Sequence, residues 1–230
     1  MTTYDRVVIS SGHGKYVRGA AGVLDEVDEA RRVVEAVAEE LRKRGVDVDT
    51  FHDDTSHSQN ENLNTIVNHH NNQTRDLDVS VHFNAYVETT KPMGTEVLYV
   101  TQNTLADQMS RAIASVGFIN RGPKKRTDLF FLNNTEEPAI LLEVCFVDST
   151  VDANIYDGEF DAICNAIANV LGGAEEAPAP EPPPGEKPPT VQPPTEVSKV
   201  NIQIAVTGNV EVTVNGEQIE IVGHGRGPTT

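Results

Sequence analysis

"AILLEVCFV" occupies residues 139–147, an apolar run interrupted by a single charge at Glu143. Ile, Val, Leu and Phe on both parities of so short a stretch read as a buried β-strand. The carboxylate does not belong to that reading. Ionised among Ile, Leu, Val and Phe, it costs several kcal/mol unless it is paired, protonated or beside a metal. Chemistry explains Glu143 better than packing does.

Working outward, the same pattern recurs. "DRVVIS" (5–10), "VDVDTF" (46–51), "LDVSVHF" (77–83), "TEVLYV" (95–100) and "DLFFL" (128–132) read as further strands. Between the first two lies "DEVDEARRVVEAVAEELRKRG", with Val33, Val34, Val37, Ala38 and Leu41 at helical spacing. Its first turn is acidic, its last is basic, and Gly45 stops it. Residues 59–75, 103–116 and 158–171 are expected to be helices. Alternating strands and helices predict an α/β fold: a three-layer α-β-α domain with a mostly parallel mixed sheet. Ligands in such sheets gather at the carboxyl ends of the strands.

The Pro-rich stretch "APAPEPPPGEKPPTVQPP" (177–194) marks the domain boundary, because proline fixes φ and favours an extended spacer. Residues 1–173 are expected to form the main α/β domain, 174–196 the linker and 197–230 a small β-rich module. In that tail "KVNIQIAV", "NVEVTV" and "EQIEIV" alternate at period two, and the Asn-Gly pair at 215–216 suits a type I′ hairpin. So short a unit must lean on something: itself in an oligomer, the main domain, or a polymer surface.

The chain has 35 acidic against 18 basic residues in 230, a formal charge of −17. That balance argues against nucleic acid, whose phosphates need clustered Lys and Arg. No apolar stretch approaches the roughly 20 residues of a membrane span, so no membrane insertion is expected. The N-terminus lacks a basic region followed by a long apolar one, which predicts synthesis in the cytoplasm without a signal peptide. Cys145 and Cys164 fit a reducing compartment and are too few for a disulfide framework.

Polar residues near the strand ends are candidates for chemistry. His13 follows the first strand in "ISSGHGK", His82 ends the third, and Glu26 opens the first helix. Each has a structural alternative: His13 as a turn residue, His82 as a hydrogen-bonded core histidine, Glu26 as a complement to the helix dipole alongside Asp25, Asp28 and Glu29. Two imidazoles and a carboxylate nevertheless make a catalytic zinc set with an open position. Glu143 would then be the acid/base. His69 and His70 diverge by about 100° on a helix, so with His52 and His57 they are expected to face solvent. A second "GHG" at 223–225 has no acidic or histidine companion after it, and His224 reads as an ordinary terminal residue.

The ordered series "ISSGHG", "GVLDE", "VSVHFNA", "GTEVLYV" and "NRGPKKRTDLFFLNNTEEPAILLEVCFVD" resembles the zinc-dependent N-acetylmuramoyl-L-alanine amidases of bacterial cell walls and phage lysins, across residues 4–172. The resemblance implies Zn²⁺ held by His13, Glu26 and His82, with Glu143 catalytic. It implies cleavage of peptidoglycan at the amide between the muramic-acid lactyl group and L-alanine. Two departures stand out. The family's second ligand is usually followed by Lys, with Asn four residues on; here Val27 and Ala30 stand there, so Glu29 rivals Glu26. Cys145 replaces a common Gly and shares strand parity with Glu143, but is read as packing. The expected role is a phage or prophage endolysin acting on the wall after release. The alternatives are a housekeeping or sporulation-associated wall amidase, a cysteine hydrolase using Cys145 with His82, and a non-catalytic wall-binding protein.

Overall fold

The computed structural model describes residues 3–173, 213–214 and 217–218. The chain divides into two units, Met1–Ala179 and Pro180–Thr230. In the first, β1 (Arg6–Ser11), α1 (Glu26–Lys43), β2 (Asp47–Phe51), α2 (Gln59–Asn71), β3 (Leu77–Asn84) and β4 (Thr95–Tyr99) follow in order. They are succeeded by α3 (Asn103–Ala114), β5 (Asn120–Lys125), α4 (Phe130–Asn134), β6 (Ala139–Phe146), α5 (Thr150–Gly158) and α6 (Phe160–Gly172). In the second unit, β7 (Thr213–Val214) and β8 (Glu217–Gln218) pair antiparallel around the Asn-Gly position. The linker, the rest of the predicted tail strands and His224 lie outside the described residues.

The sheet order is β2-β1-β3-β6-β4-β5. β2, β1, β3 and β6 run parallel, and β4 meets β6 antiparallel while pairing parallel with β5. This is the three-layer mixed sheet that the sequence predicts. Alternation along β6 sorts the layers: Ile140 and Leu142 join the large core beneath α1, α3 and α6, whereas Leu141 joins a smaller one with Ile66 of α2 and Phe131 of α4. α1 starts because the Asp25 carboxylate caps the Val27 and Asp28 N–H groups, and its buried face runs from Val27 to Leu41.

Several expectations fail. "DLFFL" is not a strand: residues 130–134 form α4, where Asn133 and Asn134 side chains donate to the Leu129 and Phe130 carbonyls at 2.6 and 2.8 Å. A short apolar run cannot distinguish helix from strand by period. The edge position in the sheet goes instead to β5, "NRGPKK", whose Gly, Pro and charges hide it from any apolar pattern. α5, capped by Ser149, is a helix that the sequence pattern does not announce, and the helix from residue 59 ends at Asn71, not 75.

His70 is another. It is fully buried, not solvent-facing; its Nδ1–H donates to Asp78 at 2.7 Å and its Nε2 accepts from the Ser10 hydroxyl at 2.9 Å. Arg75 donates to the same Asp78 oxygen at 2.6 Å. The network ties α2 to β1 and β3, and burial holds His70 below the usual imidazole range. We expect His70→Ala to cost about 2–4 kcal/mol, because it strands buried polar partners as well as opening a cavity. Urea denaturation should show a lower midpoint at unchanged slope. The native contribution is complete above pH about 6.5 and declines below it, as the unfolded imidazole takes up a proton the folded one resists.

Candidate metal centre and catalytic cleft

The parallel strands deliver three side chains to one sheet edge. Gly12 N–H donates to Val81 O at 2.9 Å, so β1 stays alongside β3 to its last residue and sets His13 beside His82. Glu26 enters from the first residue of α1 and is 3% exposed. His13 Nε2 lies 3.4 Å and His82 Nδ1 3.0 Å from Glu26 Oε1, and the two rings meet edge to face at 4.9 Å. Glu29 turns elsewhere, accepting from the Tyr156 hydroxyl at 2.8 Å and pairing with Arg32.

Backbone donors fix the Glu26 carboxylate: Ala20 N–H reaches Oε2 at 2.6 Å and Phe83 N–H reaches Oε1 at 3.2 Å. Burial would raise its pKa, but the hydrogen bond from His82 and the charges of His82 and His13 outweigh it and hold Glu26 low. An ionised carboxylate between two imidazoles fits a divalent ion. One donor atom from each of the three residues lies within 4.8 Å of the others. Tetrahedral zinc with bonds near 2.05 Å separates its ligand atoms by about 3.4 Å, against the 3.4 and 3.0 Å that separate Glu26 Oε1 from the two imidazole nitrogens.

Room for this cluster comes from glycine. A Cβ at Gly12 would fall inside the His82 ring, and one at Gly19 would strike the Glu26 carboxylate and the His13 ring. Gly19 carries no signal in the sequence, because the need for a bare Cα appears only once the 13–26 segment folds back on itself and sets Glu26 and His13 against it. Behind His13, the buried Ser11 hydroxyl lies 3.2 Å from the His13 carbonyl oxygen and 3.0 Å from His52 Nδ1. His52 Nε2–H in turn donates to Glu35 at 3.1 Å, so His52 is a half-buried support of the histidine loop and not the solvent-facing residue expected.

Glu143 sits directly across β3–β6 from His82. It lines a cleft of about 420 Å³ that also touches His13, His82 and Ser80. The cleft exists because α2 and the short α4 leave the carboxyl end of this sheet face uncovered. Oε2 of Glu143 is buried without a hydrogen-bond partner. Burial pushes its pKa up to about 7, with Glu26 and Glu96 adding to the rise and His82 opposing it. Such a group can both take and return a proton near neutrality.

Cys145 does not share this face. Between His82 and Asn84 of β3 the register jumps from Glu143 to Phe146, so β6 carries an extra residue. The bulge reverses parity and puts Cys145 in the core with Val144. Burial raises its thiol well above the usual range, which removes the cysteine-hydrolase reading.

Residues 7–172 match the family model described as N-acetylmuramoyl-L-alanine amidase. An uncharacterised 38.4 kDa protein of Clostridium perfringens is 33% identical over 158 residues, covering 66% of this chain and 46% of its own length. The chain therefore spans about half the length of the curated relatives it matches. Among solved structures, the catalytic domain of the CD27L endolysin targeting Clostridia difficile superposes with TM-score 0.68 at 25% identity, over 75% of this chain and 99% of that one. An N-acetylmuramoyl-L-alanine amidase of Clostridium difficile 630 gives 0.63 at 25% identity, over 74% and 95%. With the family match running from β1 to α6 and including every residue of the cluster and cleft, this chain belongs to the N-acetylmuramoyl-L-alanine amidase family.

Proposed function

We propose that the chain is a zinc-dependent peptidoglycan hydrolase that cuts the amide between the lactyl group of N-acetylmuramic acid and L-alanine. The observation that carries this reading is the His13–Glu26–His82 cluster opening onto a cleft with a buried, unpartnered carboxylate at Glu143. His13, Glu26 and His82 would hold the ion. Bound there, zinc supplies Lewis acidity toward the scissile carbonyl and lowers the pKa of water toward about 7. Glu143 takes the proton that the attacking water gives up and delivers it to the alanine nitrogen as the C–N bond breaks. The Ala20 and Phe83 N–H groups keep the Glu26 carboxylate in one orientation throughout.

Chelation tests the reading. We expect dialysis against EDTA to abolish hydrolysis of purified walls and stoichiometric zinc to restore it, each turnover exposing a new L-alanine amino terminus. Full activity in chelator, or release of reducing sugar ends in place of alanine amino groups, would overturn it.

Within the family, the endolysin role is the one we favour, on the likeness to the CD27L catalytic domain and on a Pro-rich stretch leading to a second unit. Acting on the wall then requires release from the cytoplasm. Cells expressing the chain should lyse only once their inner membrane is permeabilised; wall cleavage before that would favour an exported housekeeping or sporulation amidase.

A further inference from the structure

The cleft between α2 and α4 has a composition of its own. Leu63, Ile66, Leu98, Phe130 and Leu141 make apolar walls. Ser80 lies on its floor, 1% exposed, with a hydroxyl that finds no partner. An orphaned buried hydroxyl beside the reacting centre points to a bound molecule that satisfies it. Arg126 stands on the rim and is the one lysine or arginine among the lining residues. It donates Nε–H and Nη2–H to the Asp128 carboxylate, both at 2.9 Å. Both side chains are largely open, 45% and 66% exposed, so that pair contributes little and exchanges readily for another carboxylate.

The two arms of the substrate differ in charge. On the sugar side the lactyl carboxyl is consumed in the scissile amide. Every free carboxylate of the repeat therefore lies on the peptide side, beginning at the residue after alanine. In a chain of net charge −17, with Glu26, Asp128 and Glu143 around this cleft, an incoming anion is repelled unless a cation meets it. A cavity of about 420 Å³ is within the size of small-ligand sites and accommodates a short peptide.

Resting on the amidase reading above, we infer that this cleft receives the peptide arm, and that Arg126 is a specificity-determining residue that pairs with its first free carboxylate. Asp128 holds the guanidinium in place until the substrate carboxylate displaces it. Ser80 bonds the peptide backbone on the floor. The sugar arm leaves in the other direction, over the loops that follow β1 and β3. A wall whose second stem residue is amidated would lose the Arg126 contact.

Two synthetic substrates test this, MurNAc-L-Ala-γ-D-Glu-L-Lys-NH2 and its α-amide MurNAc-L-Ala-γ-D-isoGln-L-Lys-NH2; the γ-carboxyl of both is taken up in the bond to Lys, so they differ only in the free α-carboxylate. The zinc-loaded full chain should prefer the free acid by about tenfold in kcat/KM, chiefly through KM. Arg126→Gln should bring the ratio close to one, and Arg126→Lys should keep part of the preference, since ammonium supplies charge without the fork. Equal kcat/KM for both substrates in the native chain overturns the assignment and leaves the amidase reading standing. So does a preference that survives Arg126→Gln intact. If the native chain exposes alanine amino termini on purified walls but hydrolyses neither substrate, the assignment of the peptide arm falls alone; if it acts on neither walls nor substrates, both readings fall together.

Discussion

Replacing Glu143 by glutamine should lower kcat for exposure of L-alanine amino termini by roughly 10²–10⁴-fold, the range over which a positioned acid/base acts. Zinc content should stay the same, because Glu143 stands outside the His13–Glu26–His82 cluster. Stability should move the opposite way from activity. The native carboxylate has one oxygen buried without a partner, and an ionised group in that position is costly. Its pKa lies at about 7 in the folded chain against an ordinary 4.5, so the folded state holds a proton that the unfolded state gives up. Whatever stability this group contributes is thus present below pH about 4.5 and is lost as pH rises through about 7. Glutamine cannot ionise. Thermal midpoints of the two chelated proteins should agree near pH 4.5, then separate in favour of Glu143→Gln toward pH 8. Chelation matters here, since a bound cation would draw Glu143 back down. A Glu143→Gln chain with native turnover would end its assignment as acid/base. One that melts earlier at every pH would show that the carboxylate is a structural group.

The difference between what could be read and what could not follows from where each signal is stored. Val33, Val37 and Leu41 repeat at helical spacing and Val7 to Ile9 form a strand, so the alternation of layers is written locally. Glu143 betrayed itself by polarity, a charge in a run whose other members are all buried or apolar. β5 had no such voice: its order comes from pairing with β4, and Arg121, reaching back to Glu96 at 2.8 Å, ties it there. Tertiary pairing overrode a poor strand propensity. His70 shows the same limit from the other side. A histidine on a helix reads as polar surface until Asp78 and Ser10, on two different strands, are seen to face it. The bulge that turns Cys145 away from the site is likewise a property of the β3–β6 register, invisible in either strand alone.

Gly12→Ala is the second change with a large expected effect, and it tests the geometry rather than the chemistry. The usual reading of a glycine beside a ligand is freedom of the backbone. Here the backbone is held: Gly12 N–H is bonded to Val81 O at 2.9 Å, and the preceding Ser11 is fully buried in strand register with Val81. A Cβ added to that fixed position lands on the ring atoms of His82. Since β1 cannot withdraw without breaking its pairing in the middle of the sheet, the imidazole has to swing away and the cluster is left with two donors. Disturbing an outer-shell partner of a metal ligand costs 10–100-fold in affinity, so expelling a ligand should weaken zinc binding by about 10²-fold or more. Competition against a chromophoric chelator measures this without reference to activity. Gly158→Ala is the control, because a Cβ there meets nothing within 4 Å; it should bind zinc as the native chain does. Native affinity in Gly12→Ala would mean that His82 is not a ligand. If affinity is lost instead, the glycine that precedes His13 in "GHG" is there to clear space for the other histidine, which arrives from a strand 70 residues further along the chain.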